Sequence, residues 1–448
     1  MKKYLLATIM TTAAFVVANG QQLTVNAPDN HFIELTPEAS TGLRHLYVIE
    51  NGQAATISYR ASTANVSWQR FSNLGGGYAE AVPGVQANNG TYSITAGSSD
   101  MGYIIDDGTT RLCFWVVNYA NHRIDLRGLA VDPELSDCNR VSLTVAGSAA
   151  PITYYSVNGR PMELSRDLQL SYRDLEYDES AGSWQQTERT ETLASVDGHA
   201  GVQAPYCDTE FTLSGDRFST TWGDAQSVSS PSYQAVAVTA RVSATQTEHE
   251  GADNESDPGV GEGLGGSAPC EITFRAAPTD AAVFKEWQMS RTEDFDDITD
   301  RYAQDELTYT FNDEGTTYVR FECADASGNC LYDSETFTVN IGASKLMIPN
   351  AFSPANQDGV NDLWKVSYTS IVKFECSIFN RWGQRMATLT HPSQGWDGKY
   401  KGKFVPAGVY FYVIKATGAD GKKYDKAGDI NIVDSRRNTF TGGEETVE

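Results

Sequence analysis

The chain has 448 residues, 40% of them hydrophobic and 11% aromatic, and a formal net charge of −24. Several packed domains of about 100–150 residues each fit that composition, and a largely disordered chain does not. The acidic balance excludes a nucleic-acid binder, whose phosphate-facing surface has to be basic, and suits an exported protein kept apart from its neighbours by repulsion.

Lys2 and Lys3 precede an apolar run from Leu5 to Val17, and Ala18-Asn19-Gly20 offers the small residues of a cleavage site. Residues 1–20 therefore read as a secretory signal peptide, with a mature chain from about Gln21. No later stretch has the ~18 consecutive apolar residues of a membrane helix.

From there the pattern is β. Runs such as Ala55-Thr-Ile-Ser-Tyr-Arg60, Thr91-Tyr-Ser-Ile-Thr95 and Thr316-Thr-Tyr-Val-Arg-Phe321 are short, rich in β-branched and aromatic residues, and separated by Gly, Asn, Asp and Ser. The expected fold class is all-β, with tandem immunoglobulin-like β-sandwich domains ending in a further small β-sandwich. A first domain, 21–127, ends near the apolar run Leu112-Cys-Phe-Trp-Val-Val-Asn118. A second, 128–246, holds a hairpin at Val157-Asn-Gly-Arg160, where Asn-Gly suits a two-residue type I′ loop. Residues 247–267 are acidic and Gly-rich, and read as a flexible linker or long exposed loop. The third domain, 268–343, has the strand order of an immunoglobulin-like or PKD-like module, with room for one short helix in 291–304.

Seven cysteines in an exported chain suggest disulfides. Cys323 and Cys330 flank a turn-rich loop and are the first expected pair. Cys113–Cys138 and Cys207–Cys270 follow, with Cys138–Cys207 as a competing pairing. Cys376 alternates with Val372, Phe374 and Ile378 on one strand face, which marks a buried, inert thiol.

The last domain differs in charge. Residues 345–433 carry twelve Lys or Arg against seven Asp or Glu, whereas 21–344 carry eighteen against 47. A basic module ending an acidic chain points to a separate partner. It contains Ile348-Pro-Asn-Ala-Phe-Ser-Pro-Ala-Asn-Gln-Asp-Gly-Val-Asn-Asp362, then Ile378-Phe-Asn-Arg-Trp-Gly-Gln384, then Gly395-Trp-Asp-Gly-Lys399 followed by Val405-Pro-Ala-Gly-Val-Tyr-Phe-Tyr412. Pro349 and Pro354 keep the lead-in extended. Asn356, Asp358, Gly359, Asn361 and Asp362 form a turn cluster that reads as an Asx-turn, with Ca²⁺ at Asp358 and Asp362 as the alternative. Asn380-Arg381-Trp382-Gly383 is a turn whose Arg and Trp either dock a partner or form a packing lid, with Gly383 supplying a positive φ. Trp396-Asp397-Gly398 is a turn between strands, and Gly408 opens a strand through Tyr410 that is apolar on both faces and hence central.

Together these segments closely resemble the gliding-motility-associated C-terminal domain, the type B sorting domain of the type IX secretion system. The resemblance spans about 90 residues. It implies a Bacteroidetes-type bacterium, passage through the type IX secretion machinery, and retention at the cell surface on an outer-membrane SprF/PorP-like barrel. It assigns sorting and anchoring to the motif residues Pro349, Asn350, Phe352, Pro354, Asp358, Gly359, Asn361, Asp362, Asn380, Arg381, Trp382, Gly383, Trp396, Asp397, Gly398, Gly408 and Tyr410. The sequence departs from the family in the fifteen residues after Val433, a tail that reads as disordered.

No catalytic constellation stands out. A His-Glu-x-x-His helix, a phosphate loop and a Gly-x-Ser-x-Gly elbow are all missing from the sequence. Gly261-x-Gly263-x-x-Gly266 matches a dinucleotide fingerprint in letters only, inside the acidic stretch. Trp68, Trp184 and Trp222 read as core residues, with carbohydrate platforms as the alternative. The expected function is a non-enzymatic surface protein, a structural component of the secretion or gliding apparatus, without cofactor. The alternative is an adhesin or glycan binder that uses the sorting domain only for delivery.

Overall fold

The computed structural model describes residues 22–75, 78–247, 253–256 and 263–433. The expected signal peptide, the tail 434–448 and most of the stretch 247–267 lie outside the described residues. The strand-forming runs become strands, and among the described residues the one α-helix is Arg217–Trp222. The chain divides into two units, the first formed by Met1–Asp174, Thr187–Ala204 and Asp208–Gln234, the second by Leu175–Gln186, Pro205–Cys207 and Ala235–Glu448.

In the first unit a four-stranded and a six-stranded sheet enclose a core. The strand Arg111–Asn118 lies inside the larger sheet, parallel to His45–Ile49 and antiparallel to Met101–Asp106. Side chains alternate across a strand, so Phe114 and Val116 meet Ile57, Tyr59 and Trp68. Trp115 and Val117 face the other way and pack with Ile152, Tyr154 and Phe218. Its continuous apolar run reflects burial on both faces.

The hairpin expected at 157–160 joins Ile152–Tyr155 to Pro161–Leu164, but its turn is not type I′. Gly159 N–H donates to Ser156 O (3.0 Å), and Gly159 takes the positive φ (77°) while Asn158 does not. This is a type I turn closed by a left-handed Gly. The helix Arg217–Trp222 is too short to leave a helical period in the sequence. Its signal is the cap: Asp216 accepts from Ser219 N (2.9 Å), and also pairs with buried Arg166 (2.8 Å).

The second unit contains an immunoglobulin-like sandwich. Ala240–Gln246, Cys270–Pro278 and Glu306–Phe311 form one sheet, and Phe284–Ser290 and Gly315–Ala324 lie centrally in the other. Fully buried Trp287 joins them, 5.5 Å from the Phe274 ring and 5.1 Å from that of Phe321. No helix forms in 291–304. Ser290 Oγ accepts from Thr292 N (3.0 Å) and donates to Asp297 O (2.9 Å), closing turns that lead into the strand Ile298–Tyr302. Such local side-chain bonds compete with helix.

The C-terminal domain of this unit is a five-stranded sheet in the order Ala351–Phe352, Lys423–Ile432, Gly408–Gly418, Ile371–Phe379, Arg385–Leu389. Two ribbons flank it, Lys345–Met347 with Ser367–Thr369, and Lys399–Tyr400 with Lys403–Phe404.

The expected cysteine pairings are overturned. The disulfide-bonded cysteines are Cys138 and Cys330. Cys323 stands opposite Tyr332 in the ladder, while Cys330 lies against Asp325, whose Oδ1 accepts its N–H (2.9 Å). That diagonal offset exceeds the Cβ separation of a disulfide, and Cys323 stays a free thiol. Cys113, opposite Ile104, and Cys270, opposite Phe311, are free as well, and Cys207 keeps its thiol. Burial pushes the Cys270 thiol up to about 11 and those of Cys323 and Cys376 up to about 12. Cys376 is fully buried and inert, in line with its place on the strand.

Candidate functional site

Three separated stretches of the C-terminal domain meet in one core. Trp364 and Trp396 exchange backbone hydrogen bonds (2.9 and 3.0 Å), and Trp364 Nε1 donates to Pro349 O (2.8 Å). The Phe352 ring packs 5.5 Å from Trp396, which in turn meets Tyr410 edge-on at 5.3 Å. Tyr410 Oη donates to Pro406 O (3.0 Å). Asn350 O accepts from Asn431 N (2.8 Å), aligning Ala351–Phe352 in parallel with the end of Lys423–Ile432. Pro354, Phe352, Trp364, Trp396 and Tyr410 are all buried.

Gly398 has φ +69°, and a Cβ there would fall 2.6 Å from Pro354 Cγ. Only glycine satisfies both constraints. Asp397 accepts from Lys399 N (3.0 Å) and pairs with its Nζ (3.0 Å), fixing the turn.

The cluster 356–362 is held by local bonds. Asp358 accepts from Val360 N (2.9 Å) and Asn356 Nδ2 (2.7 Å), and Asp362 accepts from Gly359 N (2.8 Å). Gln357, Gly359 and Asn361 take positive φ. These are Asx-type turns. Asn356 Oδ1 and Asp362 Oδ1 are buried without a hydrogen-bond partner. Among the described residues no group of three or more His, Cys, Asp or Glu converges as a metal site.

The turn 380–384 is built by Asn380. Its Oδ1 accepts from Trp382 N and Gln384 N (both 3.0 Å), and Gly383 (φ 77°) donates to Asn380 O (3.0 Å). That leaves Trp382 76% exposed, with the Arg381 guanidinium stacked 4.4 Å from the ring. An indole that open does not serve as a packing lid. Beside it runs a groove of about 450 Å³ lined by Arg381, Trp382, Met386, Tyr400, Val405 and Phe411, among others. Lys399 and Lys401 lie over Phe404 and Tyr400.

The strand Gly408–Gly418 is central, as its apolar pattern suggested, yet only one of its faces is covered. Tyr410 and Ile414 point into the core, whereas Val409, Phe411 and Val413 are exposed. An uncovered row of large apolar side chains thus runs beside a mainly apolar groove in which Arg381 is the one charged lining residue.

Of the three tryptophans singled out elsewhere in the sequence, one is buried and two are half-buried. Trp68 is buried, Trp222 packs edge-on to Tyr119 (5.1 Å), and Trp184 Nε1 donates to Ala277 O (2.8 Å).

Comparison with known proteins gives two domain matches. Residues 346–432 match the CHU_C type IX secretion signal domain, and residues 130–230 match a fibronectin type III domain. No curated protein matches the chain. Among solved structures, a tetra-tandem repeat from the extending region of a large adhesion protein is 13% identical, covers 86% of this chain and 96% of its own, and has a TM-score of 0.21. A Ca²⁺-stabilized adhesin of an Antarctic bacterium is 13% identical, covers 92% and 98%, and has a TM-score of 0.18. The matched domains are non-catalytic folds, and the first implies the type IX secretion machinery as a partner. The chain thus carries immunoglobulin-like passenger modules, one of them a fibronectin type III domain, ahead of a C-terminal type IX secretion signal domain.

Proposed function

We propose that this is a non-enzymatic cell-surface protein, exported by the type IX system and then held at the outer membrane through its C-terminal domain. The partner that retains it is an outer-membrane barrel of the SprF/PorP type. Arg381, Trp382 and the uncovered row Val409, Phe411 and Val413 supply the contact. The passenger modules then act as a structural part of the surface apparatus. The observation that carries this reading is that the signal domain spends its motif residues in two ways. Phe352, Trp396 and Tyr410 build the core, while Arg381 and Trp382 stand in solvent beside an apolar face that nothing in the domain covers.

The test is capture from detergent extracts of outer membranes, using the intact protein and a chain ending at Ser344. The expected result is a barrel protein retained by the intact chain alone. If neither chain retains one, the domain serves delivery only and function resides in the passenger modules.

A further inference from the structure

The acidic stretch ahead of the third module is fastened to the C-terminal domain. Tyr368 N–H donates to Asn254 O (3.1 Å) and Ser256 N–H donates to Tyr368 O (2.8 Å), a parallel bridge centred on Glu255. Tyr368 already pairs with Leu346 on its other side. Residues 253–256 therefore lie along the free edge of the ribbon of Lys345–Met347 and Ser367–Thr369, joined to it by a single β-bridge.

The side chains of this segment reinforce the docking. Asn254 Nδ2 donates to Val366 O (2.6 Å) and to Pro392 O (2.8 Å), joining two loops of the domain. Ser256 Oγ meets Ser367 Oγ (2.9 Å), Thr369 Oγ1 donates to Ser256 O (2.6 Å), and Asp253 pairs with Lys365 (2.6 Å). Nearby, Ser370 N donates to Ser267 Oγ (2.8 Å), and Ala268 N donates to the fully buried Ser370 Oγ (3.2 Å). Without these partners the Tyr368 backbone groups and the Val366 and Pro392 carbonyls would lose their bonds on this side. An open strand edge also invites pairing with other chains.

We propose that residues 253–256 are a cis-acting edge strand that completes the C-terminal domain. The unit read by the export machinery then starts inside the acidic stretch rather than at residue 345, a consequence that rests on the export reading above. Further along the stretch, Leu264–Gly266 pairs in parallel with the strand Phe337–Ile341 of the immunoglobulin-like module.

Asn254→Asp is the discriminating variant. It is isosteric, but it replaces the shared donor by a carboxylate facing two carbonyl oxygens. In the full-length chain, hydrogen exchange of the Tyr368 and Ser256 amides, the two bonded across this edge, is expected to accelerate about tenfold or more, with a matching fall in surface-exposed protein on intact cells. Asp253→Asn, which removes the ion pair to Lys365 from its solvent-exposed partner, is expected to change exchange less than about twofold. If Asn254→Asp exchanges like the parent, the segment does not hold the edge and the proposal fails. If exchange accelerates and surface delivery is unchanged, the recognition unit does not include the strand and the proposal fails in that form. Failure of the export reading looks different: deletion of 345–433 leaves surface delivery intact. Should Asn254→Asp not fold, Ser256→Ala carries the same two readouts with the same sign.

Discussion

Two central strands of this protein have the same sequence character and opposite fates. Arg111–Asn118 and Gly408–Gly418 both carry apolar residues on alternate faces, and both lie inside their sheets. In the first, the outer face (Trp115, Val117) is covered by Ile152, Tyr154 and Phe218. In the second, Val409, Phe411 and Val413 remain open. A double-sided apolar strand signals that both faces want cover, but not whether the cover comes from the same chain. Where a second layer covers the outer face the strand becomes architecture, and where the described residues leave it bare the face stays exposed.

Substitutions in the two regions measure this difference. Trp115→Ala should cost about 3–5 kcal/mol by creating a cavity between buried layers, read as a lower denaturant midpoint for the first unit. Gly398→Ala should cost about 1–3 kcal/mol in the C-terminal domain, because the added methyl meets Pro354 at a positive φ. Melting that spares the domain in this variant would count against the interlock.

Acid probes the first sandwich in another way. Asp107 accepts from Thr109 Oγ1 (2.7 Å), Thr110 N (2.7 Å) and Ser62 N (3.2 Å), bonds that hold its carboxyl well below the usual carboxylate range. Its stabilisation is complete above the unfolded value of about 4 and is lost as pH falls toward the folded value. Asp107→Asn should therefore lower the stability of the first sandwich at neutral pH and flatten its decline below about pH 4. Denaturant titrations at several pH values check the slope.

The smallest stability effect belongs to the open strand. Phe411→Ser and Trp382→Ala should stay within about 0.5 kcal/mol of the parent, while capture of the outer-membrane partner falls at least tenfold. If either variant unfolds the domain, the exposed row is structural and the contrast between the two strands collapses.

The all-β class and the turns of the C-terminal motifs were legible because each rests on local chemistry. Alternation marks strands, and Asn380, Asp397 and Gly398 close turns within a few residues of themselves. The cysteines were not legible, since a two-residue ladder offset decides whether Cys323 and Cys330 meet, and spacing does not encode it. The docked segment 253–256 escaped for a related reason. Asp-Asn-Glu-Ser has no apolar period, and Asn254 bonds to backbone carbonyls that no residue identity announces. Exposure was hidden as well: composition gives Phe411 and Trp115 the same weight, and only the presence of a covering layer distinguishes them.

The double attachment of the C-terminal domain has a mechanical meaning. The chain enters it at Ser344, whose Oγ and O are bonded to Tyr424 Oη (2.8 and 3.0 Å), and a second fastening lies at Asn254. A single tether is a swivel: it transmits tension but no torque. Two separated pins define an axis, so a sideways load on the adjoining module of the same unit is passed into the C-terminal domain as torque. Under the retention proposed above, the attachment works as a lever rather than a leash.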